Sequence, residues 1–119
     1  MGSFPRSMLT LLAGLSVVLV LQSCGDDPMQ PDDTETIEAR DDFTFSRPNL
    51  TISAGTEVRW VNAGVMLHTV TPDGHSEWSA ANLATTGATF THTFDTPGTY
   101  EYYCEPHLGS GMTGTITVN

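Results

Sequence analysis

The chain contains no lysine and only four arginines, set against fourteen acidic residues in 119, for a formal net charge of −10. Neutralising a phosphate backbone takes a cluster of cations, so nucleic acid is excluded as a partner. Cysteine is scarce as well: Cys24 and Cys104 are the only two. A disulfide framework is therefore not expected to hold the fold together. No apolar run approaches the roughly 18 residues that a membrane-spanning helix needs. No segment sustains a 3.6-residue period, and no internal repeat, low-complexity tract, His-rich or Met-rich stretch stands out. These absences argue against a helical fold.

The length has room for one domain. Residues 1–23 read as a signal peptide, with Arg6 as positive flank and Leu9 to Leu21 as an uncharged, mostly apolar run of thirteen. The run ends in Leu21-Gln22-Ser23-Cys24, which resembles a bacterial lipobox and makes Cys24 the expected lipidated N-terminus. An ordinary cleaved signal with a spare cysteine is the alternative. Residues 24–42 follow as an acidic tether, because Asp26 to Asp42 carries eight acids against one arginine, with Pro28 and Pro31. Such a stretch extends by self-repulsion and buries little. Without the signal, three arginines face fourteen acids, a net charge near −11. Anionic headgroups would repel that surface, so membrane residence is expected to rest on several acyl chains.

From 43 to 119 the chain reads as short strands with turn punctuation. Phe43 and Phe45 alternate with Thr44 on one strand, and Leu50 and Ile52 form an edge segment before Ala54-Gly55. Val58 and Trp60 face one way and Glu57 and Arg59 the other, a half-buried pattern. Phe90, His92 and Phe94 share a face, and Pro97-Gly98 makes a turn. Tyr100, Tyr102 and Cys104 share the next face, and Ile116 and Val118 complete the core. Thr71 to Ala88 is expected to be the least ordered part, with room for a helical turn. The fold class that results is all-β: an antiparallel Greek-key β-sandwich or barrel.

The chemistry concentrates in Cys104-Glu105-Pro106-His107-Leu108-Gly109-Ser110-Gly111-Met112, spaced Cys-x2-His-x4-Met. A thiolate, an imidazole and a thioether suit a soft metal, and copper in both oxidation states above all. Gly109 and Gly111 allow the sharp turns that bring Met112 back. A fourth donor must come from elsewhere, and His68 is the candidate. A buried free cysteine is ordinarily a small hydrophobe; the surrounding donors make copper the better reading. Zinc accepts Cys and His too, but offers no redox change. Of the other histidines, His75 is expected to be exposed and His92 to be a hydrogen-bonded core or rim residue. Met66, two residues before His68, is expected to pack at the rim with Leu67 rather than to ligate.

This loop, the strand-turn Asp95 to Cys104, the closing Gly114 to Val118, and Val58-Arg59-Trp60-Val61-Asn62 followed by His68-Thr69-Val70 closely resemble the cupredoxins, the small blue-copper proteins, in their plastocyanin, amicyanin and pseudoazurin branch. The resemblance runs from about Ile37 to Asn119. It implies one copper per chain, cycling between Cu(I) and Cu(II), with His68, Cys104 and His107 as a near-trigonal set and Met112 as weak axial ligand. It also implies that Thr69, where plastocyanins have Asn, hydrogen-bonds the cysteine loop, and that Pro106 keeps an N–H away from the sulfur. His107 with Leu108 is the expected electron-transfer port and Tyr103 marks a second route. The implied protein is no enzyme but a monomeric, lipid-anchored electron carrier of the bacterial cell envelope, periplasmic or surface-exposed. It would serve redox partners such as c-type cytochromes or a terminal oxidase. Copper storage or delivery is the competing function.

Overall fold

The computed structural model describes residues 33–119. Nine strands form two sheets: β1 (Thr34–Arg40), β2 (Thr44–Phe45), β3 (Asn49–Ile52), β4 (Thr56–Asn62), β5 (His68–Asp73), β6 (Ala81–Leu83), β7 (Thr89–Phe94), β8 (Gly98–Tyr103) and β9 (Thr113–Val118). One sheet has the order β2-β1-β4-β7 and the other β3-β9-β8-β5-β6. The all-β sandwich is as expected, but it is not purely antiparallel. β1 runs parallel to β4, from Thr34 beside Glu57 to Ala39 beside Asn62, and β3 runs parallel to β9. The chain crosses between sheets after β2, β3, β4, β6 and β7. It therefore returns to each sheet beside a strand that is not its neighbour in sequence.

The acidic tether expected over 24–42 is corrected by β1. Ile37 and Ala39 are fully buried between the sheets, while Glu38, on the opposite face, pairs with Arg40 and Glu35, at the partly exposed start of the strand, pairs with Arg47. The domain therefore begins by Thr34, ahead of the expected boundary at residue 43. Acid-rich composition hid a strand in which alternate positions are apolar. The remaining expected signal, tether and Cys24 anchor lie outside the described residues. Among the described residues no helix is long and apolar enough to cross a membrane.

Alternation places the core as the sequence implies. Val58, Trp60 and Phe94 face Tyr102, Ile116 and Val118 across the sandwich. Trp60 sits at the centre, stacked on Phe90 with centroids 5.6 Å apart and edge-on to Tyr102 at 5.4 Å, geometries that aromatic quadrupoles favour. Burial raises the Tyr102 phenol above its ordinary range and keeps it neutral. The segment from Thr71 to Ala88 is better ordered than expected. β5 runs through it to Asp73, β6 lies inside it, and buried Trp78 pins it by donating from Nε1 to the Val70 carbonyl at 3.2 Å. No helical turn occurs there. His75, expected to be exposed, is half-buried: its Nε2 meets the Glu101 carbonyl at 2.8 Å and its Nδ1 accepts from the Glu77 amide. His92 is a rim residue, with Nε2 3.1 Å from Glu77.

Candidate metal centre

Three elements meet at one end of the sandwich. β5 opens with His68, buried completely. β8 ends at Tyr103, so Cys104 leaves the sheet still on the inward face that Tyr100 and Tyr102 occupy. β9 begins at Thr113, directly after buried Met112. Between them Glu105–Ser110 forms a 3-10 helix with Pro106 in its first turn, where the missing N–H leaves no bond unmade. The helix kinks at His107 and closes on Gly111, whose φ of 81° explains the need for glycine. Gly109 has no such conformation, contrary to the sequence reading.

The loop is tied to itself. The Cys104 amide donates to the Met112 carbonyl at 2.9 Å, His107 N–H to the Cys104 carbonyl at 3.1 Å, and Met112 N–H to the His107 carbonyl at 3.3 Å. From β5, the Thr69 amide points at Cys104 Sγ, 3.4 Å away, and the Thr69 hydroxyl accepts from the Glu105 amide at 2.7 Å. One residue thus grips both the sulfur and the backbone beside it.

The donors converge. Cys104 Sγ lies 3.7 Å from His68 Nδ1 and 3.3 Å from His107 Nδ1, and the three ligand atoms all lie within 4.8 Å of one another. Three N and S donors about 2.0–2.3 Å from one first-row ion would be separated by about 3.5–4 Å, close to what is seen. Both imidazoles present Nδ1 and the sulfur sits between them. That is the donor set of a His₂Cys copper site. Burial pushes the Cys104 thiol above its ordinary range, with the amides of Thr69 and then His107 opposing the shift. Loss of water around the ring, followed by the neighbouring His68, lowers the His107 imidazolium pKa, and Asp41 opposes this. Each shift favours an uncharged apo site, ready to exchange a thiol proton for a cation.

Two contributors were not foreseen. Asp41, in the turn after β1, approaches His68 Nε2 to 3.1 Å. Its carboxylate also accepts from the Val65 amide at 2.7 Å and the Met66 amide at 3.2 Å, and these contacts hold its own pKa below the usual carboxylate range. Phe43 belongs to that turn rather than to a strand, and its ring lies 4.7 Å from that of His107. The signal for both was hidden in the presumed tether and its edge. Next to half-buried His107, Leu108 is half exposed, and Val65, Met66 and Leu67, just ahead of His68, form an exposed apolar run. Pro106 is exposed and Tyr103 half-buried, next to Cys104 on the outer side of β8.

A two-sheet β-sandwich that carries a buried cysteine between two Nδ1-presenting histidines is a single-copper protein of the cupredoxin class. The model of the copper binding proteins of the plastocyanin/azurin family matches residues 33–119, and the chain belongs to that family. It is 42% identical over 85 residues to a plastocyanin of Scenedesmus fuscus, covering 64% of this chain and 87% of the relative. With a plastocyanin of Prochlorothrix hollandica it shares 43% over 76 residues, 58% of each chain. Among solved structures, amicyanin from Paracoccus versutus superposes with a TM-score of 0.62 at 30% identity, covering 76% of this chain and 85% of that one. The His68, Cys104 and His107 donors are positioned to bind one copper ion.

Proposed function

We propose that this protein is a type 1 copper electron carrier of the cell envelope, with Met112 as the weak axial ligand beside His68, Cys104 and His107. The convergence of His68 and His107 on buried Cys104, with Met112 enclosed next to it in the same loop, carries this reading. Bound copper would supply a one-electron couple between Cu(I) and Cu(II). The chain supplies the rest. Thr69 and the loop's internal bonds hold the sulfur in place, so little moves when charge changes. Burial of His68, Cys104 and Met112 excludes water and substrate from three sides, which suits a carrier rather than an enzyme.

His107 is the port. Its half-buried ring adjoins exposed Leu108, and with the exposed Val65-Met66-Leu67 run that leads into His68 it would offer an apolar surface on which a partner docks briefly. Tyr103 offers a second exit. Pro106 spares the sulfur a further donor. The acidic surface steers basic partners such as c-type cytochromes or a terminal oxidase. The protein acts as a monomer, exported and held through lipidated Cys24.

The test is optical. Cupric loading should produce an intense visible thiolate-to-copper band that bleaches with one electron per protein. Stopped-flow mixing with a basic c-type cytochrome should then show exchange that slows as ionic strength rises. A protein that stays colourless after cupric loading is not this carrier. A coloured protein that exchanges no electrons with cytochrome or oxidase, but yields its copper to an acceptor, belongs to copper delivery.

A further inference from the structure

The most enclosed imidazole of the centre is gripped from behind by a carboxylate. β1 and β2 are joined by a three-residue turn, Asp41-Asp42-Phe43, closed by the Arg40 and Thr44 pair and by a bond from the Phe43 amide to the Arg40 carbonyl at 3.1 Å. The third residue of such a turn adopts the left-handed conformation, usually as glycine; here it is Phe43, with φ of 66°. The turn delivers Asp41 to a prepared seat. Oδ1 accepts from the Met66 amide and lies 3.1 Å from His68 Nε2, while Oδ2 accepts from the Val65 amide. Gly64 completes the seat: a β-carbon there would fall on the Asp41 carboxylate itself.

An ionised carboxylate can only accept, so His68 must donate from Nε2. That leaves the Nδ1 lone pair facing Cys104 Sγ, 3.7 Å away. Resting on the copper-carrier reading above, we propose that Asp41 is a positioning residue of the metal centre. Its carboxylate fixes the ligating tautomer and orientation of His68. Its negative charge, acting through the ring, favours Cu(II) over Cu(I) and so lowers the reduction potential. A carboxylate on the outer N–H makes the imidazole a stronger donor, and the more highly charged ion gains most. The charge is one-third exposed and so partly screened, but His68 itself is wholly enclosed, and the interaction passes through the ring rather than through water.

The experiment compares Asp41→Asn, Gly64→Ala and Asp42→Asn in the copper-loaded protein by redox titration, and reads the His68 tautomer in the wild-type apo protein by ¹⁵N NMR at neutral pH. Asp41→Asn keeps an acceptor but removes the charge. It should stay coloured and shift binding toward Cu(I) by about tenfold, which is 59 mV upward for a one-electron couple. Gly64→Ala, which displaces the carboxylate without altering it, should move the potential in the same direction. Asp42, in the same turn, accepts from the Thr44 hydroxyl at the start of β2, at 2.6 Å, and makes no contact with His68, so Asp42→Asn should leave the potential unchanged. Wild-type His68 should carry its proton on Nε2. A coloured Asp41→Asn protein with the wild-type or a lower potential overturns the proposal, and so does an Nδ1-protonated His68. If Asp41→Asn does not fold, Gly64→Ala and the NMR measurement still decide. Neither outcome touches the carrier reading, which falls if the wild-type protein takes up cupric ion without colour or, once coloured, exchanges no electrons with a redox partner.

Discussion

His68 and His107 offer the same atom to the same sulfur, and nearly everything else about them differs. His68 starts an interior strand of the five-stranded sheet, has no solvent exposure, and is backed by Asp41. His107 sits at a kink in a 3-10 helix, half-buried, with the Phe43 ring 4.7 Å from one side of it and the His68 ring 5.0 Å away across the site. The contrast separates two duties. One half (His68, Cys104, Met112) is enclosed by the fold, whereas the other, His107, reaches solvent. Substitutions should therefore split by side of the site rather than by role as ligand.

The largest effect expected is at His68. His68→Ala in the apo protein leaves a cavity and strips Asp41 of a partner, and should cost about 2–4 kcal/mol in chemical denaturation. His107→Ala should cost less than about 1 kcal/mol, since its surroundings are partly solvent. Equal losses would erase the distinction between the halves. Next comes Gly114, which lies opposite Tyr102 in the β8–β9 ladder and has no room for a methyl because the Tyr102 ring fills the space. Gly114→Ala should destabilise by about 1–3 kcal/mol and loosen the strand that delivers Cys104, visible as weaker copper retention against a chelator.

A smaller, sharper measurement concerns protons. Because burial raises the Cys104 thiol, the apo site holds its proton at neutral pH. Copper loading should release about one proton per ion into a weakly buffered indicator, and Cys104→Ala should release none. Asp41 behaves in the opposite sense. Its folded-state pKa is depressed, chiefly by the Val65 amide, so its stabilising contribution is present above the ordinary carboxylate pKa and disappears as pH falls through the lower, folded value. Apo Asp41→Asn should accordingly lose less stability between neutral pH and acid than wild type does. Smallest of all is Phe43→Gly. Relief of a left-handed backbone, about 1–2 kcal/mol, offsets the loss of a half-buried ring, so stability should change by less than about 1 kcal/mol. What changes is the accessibility of His107, measurable as faster ring modification in the apo protein.

The two halves were also unequally legible. Cys104, His107 and Met112 announce themselves by spacing in one loop, and His68 follows from the need for another donor. The alternating residues of β4, β7 and β8 fix the core because the pleat forces them to opposite faces. Asp41 and Phe43 could not be read the same way. Asp41 reaches His68 across 27 positions, a contact made only by the turn that β1 and β2 create. β1 itself was obscured because composition was averaged over seventeen residues, while the strand needs just Ile37 and Ala39 to turn inward. Trp78 is a similar case: one aromatic among Ser, Glu and Ala looks like loop, yet it fastens the segment by filling the core and bonding the Val70 carbonyl.

The bonds within the segment from Cys104 to Met112 carry a consequence for how such a protein can change. Tyr103 pairs with Thr113, and the backbone between them answers mostly to its own amides and carbonyls, with Thr69 holding Cys104 Sγ and the Glu105 amide from outside. Length and spacing in that stretch are therefore free to vary while the ladder on either side keeps its alignment. A lineage, or an engineer, can exchange the whole cassette and retune the ion it cradles without renegotiating the sandwich beneath.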